Sequence, residues 1–140
     1  MIMIEPKSSF PVFTVVDLDA ARTFYTEHFG FELVFAGEWY IHLVSKQGVQ
    51  IGFLLPDQPT QPEIFHKPYS GDGVIFSLEV EHAEAAFAEA KSRSLNVVLE
   101  LRTEDWGQRH FCIKDPNGVY IDIVQSFEPT AEYLSDYVSK

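Results

Sequence analysis

Cysteine is nearly absent from this chain, with Cys112 the one thiol in 140 residues. That excludes an intrachain disulfide and a cysteine-rich zinc knuckle, and it agrees with a reducing compartment. Positive charge is scarce as well: 10 Lys and Arg stand against 21 Asp and Glu, for a net charge of −11. Phosphate backbones and anionic lipid surfaces repel such a chain, so neither nucleic acid nor membrane is expected as a partner. Long apolar runs are missing too. The opening Met1-Ile2-Met3-Ile4 is cut off by Glu5-Pro6, too short for a signal segment or a membrane span, and the expected location is the cytoplasm. No Ser-His-Asp arrangement, phosphate loop or cofactor fingerprint is found, so no cofactor is expected.

What is abundant is apolar and aromatic. Hydrophobic residues make up 46% of the chain, enough for the core of a single domain over residues 1–140, and 12 Phe, 6 Tyr and 2 Trp leave aromatic surface to line a pocket. The densest signal runs from Asp105 to Val124. Asp115-Pro116-Asn117-Gly118 supplies Pro to pre-set φ and Gly for a left-handed position between two alternating runs, which predicts a β-hairpin. Phe111, Ile113, Val119, Ile121 and Ile123 form its apolar face, while His110, Cys112, Tyr120 and Asp122 form an unusually polar one.

Along the chain, Phe10 to Val16 reads as a strand and Asp17-Leu18-Asp19 as the cap of a helix over about 20–28 that ends at Gly30. Three short strands follow, Phe31 to Ala36, Trp39 to Val44 and Val49 to Leu55, completing a β-α-β-β-β module over about 9–55. Residues 56–73 hold Pro56, Pro59, Pro62 and Pro68 with no period and read as a linker or lid. The pattern then repeats at an offset of roughly 64 residues. Val74 to Val80 is strand-like, 83–93 helical and Leu95 to Leu101 extended, before the hairpin closes a second module over about 74–125. A last helix over about 129–138 carries Tyr133, Leu134, Tyr137 and Val138 on one stripe. The fold class is therefore α+β, two tandem β-α-β-β-β modules forming a curved eight-stranded mixed sheet around a cleft.

Strand alternation separates core from cleft. If Phe13, Val15, Ile41, Leu43, Ile51, Phe53, Phe76, Leu78, Phe111, Ile113, Ile121 and Ile123 face the helices, then Val12, Thr14, Tyr40, His42, Gln50, Gly52, Ser77, Glu79, His110, Cys112, Tyr120 and Asp122 face the other way. That second set mixes polar anchors with aromatic walls, as ligand sites do. Tyr40, His42, Gln50, Glu79, His110, Tyr120 and Asp122 are the candidate ligand-binding residues, joined by Trp106, whose ring at a turn is placed to stack on a flat cation. His42 and His110 read as equivalent positions of the two modules. Glu79 and Asp122 offer carboxylates for a cation or for general base work.

The duplicated module, the opening Val15 to Tyr25 (Val-Val-Asp-Leu-Asp-Ala-Ala-Arg-Thr-Phe-Tyr) and the closing Phe111 to Gly118 (Phe-Cys-Ile-Lys-Asp-Pro-Asn-Gly) resemble the vicinal oxygen chelate superfamily of glyoxalases, ring-cleaving dioxygenases and bleomycin-resistance proteins. The resemblance covers about residues 9–125. It implies, for metal-dependent members, four ligands from the outer strands of the two modules. Here the first ligand position falls on Phe10 and its counterpart on Ile75, neither able to bind a metal. Gln50 or Gly52, and Asp122, are the other positions, so no metal is expected. Glu104-Asp105-Trp106-Gly107 followed by Arg109 and Phe111 is similar to the Trp-Gly loop of bleomycin-resistance proteins, which bind a cationic aromatic antibiotic unchanged and are dimers.

Three functions stay open in the sequence. The first is a binding protein that sequesters a small aromatic, cationic molecule without metal, as a homodimer. The second is a divergent metal-dependent lyase, isomerase or dioxygenase with ligands such as His42, Gln50, His110 and Asp122. The third is a sensor or accessory domain.

Overall fold

Asp17 starts the first helix by a purely local device: its carboxylate accepts the Ala20 amide at 2.9 Å, satisfying one of the amides that a helix N-terminus leaves unpaired. Gly30 ends the helix at φ +68°, a left-handed conformation that costs glycine little. Between these caps α1 (Leu18–Phe29) buries Ala21, Phe24 and Tyr25. The computed structural model describes residues 2–138, and in it β1 (Val12–Thr14), α1, β2 (Glu32–Ala36), β3 (Tyr40–Val44) and β4 (Gln50–Leu54) follow in that order. A 3-10 turn at Glu63–Phe65 precedes the second round, β5 (Phe76–Glu79), α2 (Ala83–Ser92), β6 (Asn96–Glu104), β7 (Gln108–Lys114) and β8 (Tyr120–Ser126), with α3 (Ala131–Leu134) last.

The eight strands expected from the sequence are present, and hydrogen bonding groups them as two four-stranded mixed sheets ordered β1-β4-β3-β2 and β5-β8-β7-β6. In each, the first strand runs parallel to the fourth and the others pair antiparallel. The chain divides into two compact units between Ser70 and Gly71, one sheet in each. Most of the segment read as a linker belongs to the first unit, where the Tyr69 amide donates to Thr14 O at 2.7 Å.

Alternation along the strands sorts core from open face as expected. Ile41, Leu43, Ile51 and Phe53 are buried in the first unit, and Phe111, Ile113, Ile121 and Ile123 in the second. The Tyr25 ring meets Phe53 at 5.0 Å and Phe87 meets Phe111 at 5.2 Å, which places these faces against α1 and α2. Each such side chain contributes about 1.5–3 kcal/mol by leaving water. The Asp115 turn forms as the sequence predicts. Asp115 Oδ1 accepts the amides of Asn117 at 2.8 Å and Val119 at 2.9 Å, and Gly118 takes φ +85°.

The ends of β6 and of the last helix differ from the sequence expectation. β6 runs on to Glu104 rather than stopping at Leu101, because Asp105-Trp106-Gly107 is a tight turn that lets Glu104 pair with Gln108. The last helix is a single turn, after which Asp136 and Tyr137 donate to Tyr133 O and Leu134 O in i to i+3 fashion. Such a short segment is shaped by docking rather than by propensity: the Tyr133 ring lies 6.4 Å from that of Trp106, and the Tyr137 hydroxyl donates to Trp106 O at 3.0 Å. Finally, α2 has no cap from its own neighbours, and Gln125 of β8 accepts the Ala83 amide at 2.9 Å instead.

Candidate functional site

Register fixes which residues of the two modules correspond. Val44 pairs with Gln50 across one hairpin and Lys114 with Tyr120 across the other, while Val12 lies beside Gly52 and Ser77 beside Asp122. Position for position, Tyr40 therefore answers His110, Gln50 answers Tyr120, Gly52 answers Asp122, and Phe10 answers Ile75. His42 answers Cys112. The sequence reading that made His42 and His110 equivalent is corrected by the distance of each from its turn, which patterning of strands alone does not measure.

In the second unit β6, β7 and β8 bring three ionisable side chains onto one line. His110 Nδ1 lies 2.7 Å from Asp122 Oδ1 and Nε2 lies 2.8 Å from Glu104 Oε2. Two carboxylate acceptors suit an imidazolium donating from both nitrogens. Burial pulls the His110 pKa down, but the hydrogen bonds to Glu104 and Asp122, with their charges, outweigh it and hold it above the usual 6.5. Glu104 in turn is held below the usual 4.5, chiefly by its bond to His110 against the opposing effect of burial, with help from Arg102. Arg102 grips the same carboxylate through Nε to Oε2 at 2.9 Å and Nη2 to Oε1 at 3.1 Å, the bidentate geometry that guanidinium favours.

Glu104 and Arg102 are the site residues that sequence reading missed. Register shifts in β6 between Val97 and Leu99 and again between Leu99 and Arg102 change the phase of alternation, and such bulges re-aim side chains. The one available signal was Gly107 three residues after Glu104, a tight-turn residue that would have paired β6 with β7 and set Arg102 opposite His110.

This cluster opens on a cavity of about 570 Å³ whose lining includes Asp72, Ile75, Leu99, Cys112, Tyr120 and Asp122 along with His110. That volume lies within the range of small-molecule sites. The Cys112 thiol is pushed above its usual 9.0 by burial first and by the Asp122 charge second, so it lines the cavity as a neutral group. The Lys114 ammonium sits 5.4 Å from the centre of the Tyr120 ring.

The first unit builds a counterpart that contains no carboxylate. Tyr40 Oη lies 2.6 Å from His42 Nδ1, and His42 Nε2 lies 2.8 Å from Gln50 Oε1. Burial raises the Tyr40 phenol above its usual 10.0, so it stays a donor, and the chain reads Tyr40 O–H to Nδ1, then Nε2–H to the Gln50 carbonyl. Gly52 makes this possible, because a Cβ there would strike the Tyr40 hydroxyl. The Phe10 ring packs edge-on against His42 at 4.8 Å.

Of the sequence candidates, Tyr40, His42 and Gln50 thus join in the first unit, and His110, Tyr120 and Asp122 join in the second. Glu79 is exposed on the edge strand β5, and Trp106 donates its indole N–H to Gln108 Oε1 at 3.0 Å. Neither lines either cavity.

A metal of the kind the resemblance implies does not fit these side chains. Phe10 and Ile75 carry no donor atom, and both nitrogens of His110 are occupied by carboxylates, leaving no lone pair for a metal. Among the described residues no three His, Cys, Asp or Glu side chains are arranged to hold a metal ion. No helix among them is long and apolar enough to cross a membrane.

Residues 9–123 match the family described as the Glyoxalase/Bleomycin resistance protein/Dioxygenase superfamily. No curated protein matches the chain. Among solved structures, a member of that superfamily from Sphaerobacter thermophilus is 23% identical with a TM-score of 0.71, covering 89% of this chain and 100% of its own. A glyoxalase/bleomycin resistance protein/dioxygenase from Nocardioides is 17% identical with a TM-score of 0.75, covering 91% and 87%. A lactoylglutathione lyase from Agrobacterium tumefaciens is 17% identical with a TM-score of 0.70, covering 86% and 94%. At these identities the likeness is one of fold.

Proposed function

We propose, from the premise that this chain belongs to the Glyoxalase/Bleomycin resistance protein/Dioxygenase superfamily, that it is a binding protein for a small aromatic cation, held without metal in the cavity of the second unit. The observation that carries this reading is the pinning of His110. An imidazolium bonded at both nitrogens is neither a metal ligand nor a free base, but it orients the Asp122 carboxylate at the cavity wall. Of the charged groups lining the cavity, Asp72 and Asp122 outnumber His110, so a single positive charge on the ligand completes the balance. Tyr120, Leu99 and Ile75 cover its apolar body, as expected of a site with few polar groups in an apolar wall. The net charge of −11 draws cations toward the chain.

The test uses 1-naphthylmethylammonium as probe and calorimetric titration as readout. Asp122→Asn is expected to weaken binding roughly tenfold, the size of losing one close charge partner at a part-buried site. Equal affinity in the variant would sink the reading.

The same proposal includes a second copy of the chain as partner. β2 is an edge strand, and its Val34 and Phe35 are exposed at 59% and 57%, an apolar edge of the sort that a two-fold partner covers. Sedimentation at micromolar concentration is expected to show a dimer, and a purely monomeric profile would refute this part.

A further inference from the structure

We propose that the first unit carries a second binding site, separate in its chemistry from the cavity beside His110, for a flat ring system with no net charge. A cavity of about 410 Å³ lies in this unit, walled by the rings of Trp39, Tyr40 and Phe65 over Val12 and Leu54. Nothing in its lining bears a charge. The side chains that offer hydrogen bonds, Thr14, Trp39 and Gln61, are neutral, and the Tyr40 hydroxyl is already committed to His42.

The comparison between modules bears on the difference. Where the second unit lines its cavity with His110 the first has Tyr40, and the position of Asp122 is taken in the first unit by Gly52, outside this cavity. His110 and Asp122 of the second cavity thus have no charged counterpart in the first. A cation entering the first cavity would leave water without meeting a counter-charge, which is costly, whereas a neutral ring meets aromatic faces. The far wall is built rather than slack. The Gln61 carbonyl lies 2.8 Å from His66 Nε2, the Gln61 amide donates to Gln58 O, Phe65 donates to Pro62 O, and Asp57 donates to His66 O. These bonds fix Phe65 and Gln61 over the cavity, although four prolines made the segment read as a lid.

The experiment is equilibrium dialysis of the full chain against two probes of matched size, 2-naphthol, uncharged at neutral pH, and 1-naphthylmethylammonium. Phe65→Ala, which removes one wall at a half-exposed position, is expected to weaken 2-naphthol about fivefold or more and to leave the ammonium probe unaffected. Asp122→Asn is expected to do the reverse. Gln61→Glu, nearly isosteric, places a carboxylate in the first cavity and is expected to restore ammonium binding to the Asp122→Asn protein. Failure of 2-naphthol to bind, loss of both probes alike in Phe65→Ala, or no gain from Gln61→Glu each overturns the second site. Failure of the ammonium probe alone overturns only the reading of the second unit, so the two proposals fall separately.

Discussion

Replacing Gly107 by Ala is expected to lower stability by about 3 kcal/mol, and the melting temperature by roughly 10 °C or more. Two independent costs combine. Gly107 sits at φ +105°, beyond the left-handed region that an L-residue tolerates. A Cβ there would also lie 2.6 Å from the Phe127 carbonyl oxygen and 3.3 Å from Pro129 N, backbone atoms that move only if the chain after β8 moves. The turn is held from both sides, with the Gly107 amide donating to Glu104 O at 3.1 Å and its carbonyl accepting the Phe127 amide at 2.9 Å. A shifted turn carries Glu104 and Arg102 with it, so the variant should also lose affinity for a cationic ligand at temperatures where it remains folded. Thermal denaturation of Gly107→Ala beside the wild type checks the first effect. A melting temperature within two or three degrees of wild type would mean that the turn relaxes freely and that its geometry does not hold the His110 cluster.

His110→Gln is expected to remove a pH dependence that the wild type shows. The folded-state pKa of His110 is raised, so its contribution is complete below the unfolded value of about 6.5 and is lost as pH rises through the folded value above it. Glu104 is shifted the other way. Its contribution is present above the usual 4.5 and is lost as pH falls through the lower folded value. The cluster therefore stabilises most between about pH 4.5 and 6.5. Above that window the wild type should lose stability with a slope below the one-proton limit of about 1.4 kcal/mol per pH unit, since Arg102 and solvent share the compensation of Glu104. Denaturant midpoints at several pH values, with His110→Gln measured alongside, isolate this limb, because the remaining histidines are common to both proteins. Parallel pH profiles would refute the pinned imidazolium. At pH 6 the variant should also be the less stable protein, since it leaves Asp122 and Glu104 without the charge between them.

Much of this molecule is written in short-range pattern. Asp17 and Gly30 bracket α1 because a side-chain acceptor and a left-handed residue act within a few positions of the helix they cap. Asp115 and Gly118 make the β7–β8 turn for the same reason. The period-two alternation of Ile41, Leu43, Ile51 and Phe53, and of Phe111, Ile113, Ile121 and Ile123, assigns them to the buried face without any knowledge of neighbours. Repetition of that pattern shows the duplicated module, and the motifs Val15 to Tyr25 and Phe111 to Gly118 add the resemblance to the family that residues 9–123 match. Phe10 and Ile75, exposed at 46% and 71%, are the places where the resemblance implies metal donors that this chain lacks, and the strand register agrees with their equivalence.

What tertiary structure alone decided depends on contacts that no local period encodes. The α2 cap comes from Gln125, distant in the chain, because β8 runs past the start of that helix. Two irregularities in β6 change which side chains face His110, so Glu104, invisible to alternation, becomes its partner while Glu79 and Trp106 fall outside the cavities. Hairpin register pairs His42 with Cys112 rather than with His110, and sets Gly52 where the other module holds Asp122. Alternation is a property of one strand and survives in the sequence. The phase of a bulge and the register between strands are settled by packing across the sheet, and in this protein those two quantities bring Glu104, His110 and Asp122 together in the second unit.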